Sequence, residues 1–173
     1  MAARSPAPAA SEGLLVPGDL LVLGWREWLA LPALGLPAVR AKVDTGAATS
    51  ALHAHDLELA EAEGQTVARF VTHPYFARRR GTAVRCEAPV VDRRTVRSSS
   101  GHEDERVVVR LRLRMGLRVD APAWDAEVTL ADRRGMRFPM LLGREAMAGR
   151  ILVQPAGSYL LGRLDDPPAL YGR

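Results

Sequence analysis

Two stretches, Ala41-Lys-Val-Asp44-Thr45-Gly46-Ala47 and Phe138-Pro-Met-Leu-Leu142-Gly143-Arg144, decide how this chain of 173 residues is read. In the first, the apolar run Val39 to Val43 has strand length and ends in a polar triplet. That places a carboxylate at a tight turn, with Gly46 free to let backbone approach closely. In the second, an apolar run enters Gly143 and then a short helix predicted over Arg144 to Gly149. An Asp-Thr-Gly triplet arises by chance in roughly one chain of this size in thirty. Alone, it reads as a turn in which Asp44 hydrogen-bonds its own backbone. The second stretch gives the first its significance.

Outward from these two, the chain divides into short apolar runs punctuated by 15 Gly and 12 Pro. Leu20 to Leu23, Val67 to Val71, Arg106 to Met115 and Ala126 to Leu130 have strand length. In Arg106 to Met115 the residues Arg110, Arg112 and Arg114 alternate with Val109, Leu111 and Leu113, the period-two pattern of a strand with one wet face and one buried face. A second helix is predicted over Ala54 to Glu63, where acids stand among Ala and Leu. Strands at short spacing with little helix between them predict a mainly β protein, a compact barrel or sandwich. Residues 1–13 are Ala-, Pro- and Ser-rich and read as a disordered tail, leaving 14–173 as a single domain.

With 47% hydrophobic residues and a mean hydropathy of -0.07, the chain can bury a core. The single cysteine, Cys86, rules out a disulfide framework and a Cys-based zinc cluster. No apolar run approaches the roughly 20 residues that span a bilayer, and the N-terminus lacks the apolar stretch of a secretory signal. The expectation is a cytoplasmic protein without a membrane partner. Of 24 basic residues all but Lys42 are arginines, and the net charge is +4. An acidic partner is therefore permitted. Aromatic residues at 5% weigh against single-stranded nucleic acid, which needs stacking platforms.

The Asp-Thr-Gly triplet followed downstream by two hydrophobic residues and a glycine resembles the paired signature of pepsin-type and retroviral aspartic proteases. Further motifs in order narrow the resemblance: Gly24-Trp-Arg-Glu-Trp28, Leu34-Gly-Leu-Pro37, Ala41 to Ala47, Val96-Arg-Ser-Ser-Ser-Gly101 and Met140 to Arg144. Over residues 20 to 162 the chain is similar to a bacterial retropepsin-like family whose members often carry the label ATP-dependent zinc protease. Some of them are associated with the ligase that adds glutamates to ribosomal protein S6.

The resemblance implies a closed retropepsin-like barrel acting as an aspartic peptidase. It assigns catalysis to Asp44, Thr45 and Gly46, and substrate contacts to Ala47, Leu142, Gly143 and Arg144. A flap is expected between Asp92 and Arg106, with its tip at Arg97, Ser98, Ser99, Ser100 and Gly101. One Asp-Thr-Gly supplies half of a two-carboxylate mechanism, so the resemblance also implies a homodimer. Two departures stand out. Ala48 and Thr49 replace the acidic residues that would pair with Arg144, and the spacing implies an insertion around Glu61 to Val91.

The family label itself finds no support in the residues. Lys42 lies in no phosphate-binding loop, and H-E-x-x-H is absent. His53 and His55 alternate as a strand pair would, but two ligands are too few for a catalytic zinc, with His73 and His102 distant in sequence. The expectation is therefore no metal and no cofactor. The competing readings are a binding module for acidic peptides with an idle Asp44 and, third, a zinc metallopeptidase. Between Arg78 and Arg118 stand 12 arginines against five acids, a local excess of +7 that leaves the rest of the chain at −3. With the flap in this segment, acidic peptides, glutamate-rich tails among them, are the expected substrates.

Overall fold

The computed structural model describes residues 15–16, 20–76, 82–97 and 103–172. Twelve strands follow one another: β1 (Leu15–Val16), β2 (Leu20–Gly24), β3 (Arg26–Leu31), β4 (Leu36–Val43), β5 (Ser50–His53), β6 (His55–Ala62), β7 (Gln65–Thr72), β8 (Val84–Arg97), β9 (Glu103–Met115), β10 (Ala123–Ala131), β11 (Met140–Leu142) and β12 (Ile151–Gln154). One short helix, α1 (Arg144–Met147), and two 3-10 turns complete the described residues.

Six strands close on themselves in the order β10-β5-β11-β4-β3-β9, with β9 pairing back to β10. Closure removes free edges within the ring. Its interior is filled by Leu29, Leu31, Leu36, Val39, Leu52, Val109, Leu111, Leu113, Met140 and Leu142, all essentially inaccessible to water. Burial of each such side chain favours folding by about 1.5–3 kcal/mol. In β9 the predicted alternation holds at Val109, Leu111 and Leu113, which are buried, and at Arg110 and Arg112, which are exposed.

Two additions flank the ring. A small sheet of β1, β2 and β12 meets it at the Gly24 corner, where Glu27 is fully buried. The Glu27 carboxylate accepts the N–H groups of Gly24 (2.7 Å), Leu160 (2.9 Å) and Leu161 (3.2 Å), tying the C-terminal segment to this corner. Burial nonetheless pushes its pKa above the usual carboxylate value. On the other side β8, β7 and β6 extend the sheet beyond β9. This extension accommodates the insertion expected around residues 61–91.

The helix predicted over Ala54 to Glu63 is strand β6 instead. It pairs with β7 from Ala62↔Gln65 back to His55↔Val71. Glu63 (φ 51°) and Gly64 (φ 76°) form the connecting turn, both in the left-handed region that a two-residue hairpin loop demands. The helix preference of Ala and Glu is worth only tenths of a kcal/mol per residue, and the ladder to β7 outweighs it. The acids of β6 lie on an outermost strand, where charge suits an edge. The other predicted helix is present but ends at Met147.

Candidate active site

The Asp44 loop sits between the C-terminal end of β4 and the start of β5, and β11 runs parallel to β4 in register Met140↔Ala41, Leu141↔Lys42, Leu142↔Val43. Backbone bonds stitch the loop to the end of β11 and the start of α1. The Asp44 N–H donates to Leu142 O (2.9 Å), Arg144 N–H to Ala47 O (2.9 Å) and Glu145 N–H to Ala48 O (3.0 Å). Gly143 makes this approach possible: a Cβ there would lie 2.5 Å from the Thr49 carbonyl carbon and 2.7 Å from the Ala48 oxygen. Its N–H donates to the buried Ser50 hydroxyl at 3.0 Å.

Asp44 is held by its own turn and by its neighbour. Oδ1 accepts the Gly46 N–H at 3.1 Å, the local bond expected of an aspartate turn. Oδ2 accepts from Lys42 Nζ at 3.0 Å. Lys42 is therefore a site residue that the motif alone does not reveal; the period-two spacing on β4 was the available signal, because residues 42 and 44 share a side of an extended chain. The Lys42 ammonium, by hydrogen bond and by charge, holds the Asp44 carboxyl below its ordinary pKa. With 23% of its side chain exposed, Asp44 remains open to a ligand.

Arg144 finds its partners in the backbone. Its Nη1 donates to Thr45 O (3.0 Å) and Gly46 O (2.8 Å), so it clasps the loop carbonyls in place of the acidic side chains that Ala48 and Thr49 replace. Asp44, Thr45, Gly46, Ala47, Leu142, Gly143 and Arg144 are thus gathered in one place. The expected flap is a hairpin of β8 and β9, paired through Arg97↔Glu103. Its tip residues Ser98, Ser99, Ser100 and Gly101, and the Arg97 side chain, lie outside the described residues, as does the N-terminal tail at 1–13.

The arginine excess is partly neutralised by acids, some of them from outside the counted segment. Arg94 pairs with Asp92 and with Glu127 on β10, Arg110 with Glu127, Arg112 with Asp125 and Arg118 with Asp120.

Sequence distance concealed a second cluster. His73, just after β7, stacks on His55 at 5.2 Å and on His53 at 5.6 Å, centroid to centroid. Burial holds His53 neutral, with its pKa lowered to about 4, and pushes His73 down as well.

A closed barrel with an Asp-Thr-Gly loop buttressed by a hydrophobic-hydrophobic-Gly strand defines a retropepsin-like protein. Residues 22–163 match the RimB-like family, described as the retropepsin-like aspartic endopeptidase RimB, and the chain belongs to that family. Similar proteins include one from Desulfotalea psychrophila (42% identical over 143 residues, 83% of this chain) and one from Parasynechococcus marenigrum (43% over 153 residues, 87% of this chain). Both are named probable alpha-L-glutamate ligase, and the chain spans only 30% and 32% of their respective lengths. Among solved structures, a Legionella pneumophila protein of unknown function superposes with a TM-score of 0.64 at 27% identity, covering 80% of this chain and 95% of that one. No helix among the described residues is long and apolar enough to cross a membrane.

Proposed function

We propose that two copies of this chain form an aspartic endopeptidase in which the two Asp44 carboxyls meet across a two-fold axis. The observation that carries this reading is the Asp44 loop: a part-exposed carboxylate at a strand end, fixed by backbone bonds from β11 and α1. A single chain offers one such loop, and an isologous interface supplies the second. Two carboxyls at close range cannot both ionise, so they share a proton and titrate as a pair; aspartic proteases are the standard example of that split. The ionised member takes a proton from water while the protonated member polarises the scissile carbonyl. Thr45 bridges the two loops, and the β8–β9 hairpin covers the substrate.

Acidic, glutamate-rich peptides are the proposed substrates, and the cytoplasm the proposed compartment. The arginines of β8 and β9 support the first, although several already have acidic partners. So does the name of the longer relatives: proteins named probable alpha-L-glutamate ligase carry a segment similar to this chain. One observation favours a second reading, a binding module. Lys42 occupies an oxygen of Asp44 and must share it with substrate.

Incubation with a glutamate-extended peptide and an unextended control, read by mass spectrometry, separates the two. The peptidase reading predicts cleavage that Asp44→Asn reduces by at least about a hundredfold, since Asn keeps the size but loses the general base. Wild-type turnover in the variant contradicts it, and binding without turnover in both proteins establishes the module.

A further inference from the structure

The histidine trio lies at the end of β5 opposite the Asp44 loop, and peptide hydrolysis as proposed makes no use of it. His53 closes β5, His55 opens β6 and His73 follows β7. Each contributes a nitrogen to a group whose ligand atoms all lie within 4.8 Å of one another. His53 is wholly buried, and its Nε2 and that of His55 are buried with no hydrogen-bond partner. An unmet buried nitrogen is destabilising, and a ligand would relieve that cost.

We propose that His53, His55 and His73 bind one divalent transition-metal ion, which ties the β6–β7 extension to the barrel. An all-imidazole set suits zinc, cobalt, nickel or copper and discriminates against magnesium and calcium, which want oxygen. The donor atoms lie within 4.8 Å of one another, and a tetrahedral site with 2.0–2.1 Å bonds needs them at roughly 3.3 Å, so the rings must close on the ion. Water fills the fourth position.

The surrounding carboxylates equip two of the rings. His55 Nδ1 lies 3.1 Å from Asp56 Oδ2, a contact that favours the tautomer with its proton on Nδ1 and leaves the buried, unpartnered Nε2 free to bind the ion. His53 differs. Its Nδ1 accepts the Arg133 N–H at 3.0 Å, which puts the ring proton on Nε2. Metal binding at Nε2 moves that proton to Nδ1, so the Arg133 N–H must give way and Asp132 Oδ1, 3.8 Å away, must close in to accept it. The proton is relocated within the ring and none is lost from it. Asp56 beside His55 and Asp132 beside His53 are thus positioning residues for the metal.

The test is zinc binding to the full-length, chelator-washed protein, measured by competition with a chromophoric chelator and by thermal unfolding. Wild type should take up one zinc per chain, and a hundredfold excess of free zinc over Kd should raise Tm by at least about 5 °C. His55→Gln and His73→Gln should weaken binding at least about a hundredfold, and Asp56→Asn about tenfold. Because His53 is buried and its variants risk misfolding, the His55, His73 and Asp56 variants carry the test, with circular dichroism confirming their fold. Absence of saturable one-to-one binding by wild type, or wild-type affinity in a folded His73→Gln, overturns the proposal.

Discussion

The Asp44 loop and the histidine trio occupy opposite ends of β5 and are built on opposite principles. Around Asp44 the backbone is densely bonded: Leu142, Ala47 and Ala48 carbonyls are all engaged, and Arg144 holds two more. The carboxylate is positioned, and in the proposed dimer a second copy completes its function. Around the histidines the chain supplies aromatic contacts, with Phe76 edge-on to His53 at 5.4 Å, but leaves buried nitrogens unmet. A satisfied backbone with a half-complete active group calls for another chain; unsatisfied side chains in a dry cluster call for a small ligand.

The sharpest way to break this contrast is at Gly143. In Gly143→Ala the new methyl would enter the backbone of Ala48 and Thr49, and the loop and β11 must separate. We expect a loss of about 3 kcal/mol or more, roughly 10 °C in Tm by thermal denaturation, together with loss of cleavage. Zinc uptake at the other end of β5 should persist in whatever protein remains folded; simultaneous loss of both would show the two regions to be one cooperative site.

Lys42→Met gives a smaller and more specific effect. Lys42 keeps Asp44 ionised to lower pH, so its removal raises the Asp44 pKa, and the ionised base is lost at a higher pH on acidification. The acid limb of the kcat/KM profile should move to higher pH with little change in Tm, as expected for an exposed ion pair. An unmoved limb would show that Lys42 leaves Asp44 once the second copy docks.

The least effect expected is on substrate charge. Because Arg94, Arg110 and Arg112 have acidic partners, the field beside the hairpin is weaker than the arginine count implies. Acidic peptides should exceed matched neutral ones in kcat/KM by roughly three- to tenfold at low salt, with the ratio shrinking as salt rises. Equal values, or a ratio that salt leaves unchanged, would remove the electrostatic account.

Much of the barrel was legible because burial imprints a period on a strand. Val109, Leu111 and Leu113 against Arg110 and Arg112 is such an imprint, and Asp44 with Gly143 could be located because a close backbone approach requires particular residue types. What escaped reading depends on long-range pairing. β6 carries helix-favouring residues and becomes a strand only because β7 lies beside it. Glu27 looks like a surface acid until the amides of Leu160 and Leu161 close over it. His73 is remote from His55 along the chain, and only the β6–β7 hairpin returns it to His53 and His55.

The central claim, that each active site takes one Asp44 from each of two chains, is tested most directly by mixing. Wild-type protein equilibrated with an equal amount of Asp44→Asn should lose about half its specific activity per wild-type chain, because random exchange consigns half of those chains to mixed dimers with one general base missing. Unchanged activity per wild-type chain, with subunit exchange verified by mass spectrometry, would contradict the account and place the whole catalytic apparatus within a single chain.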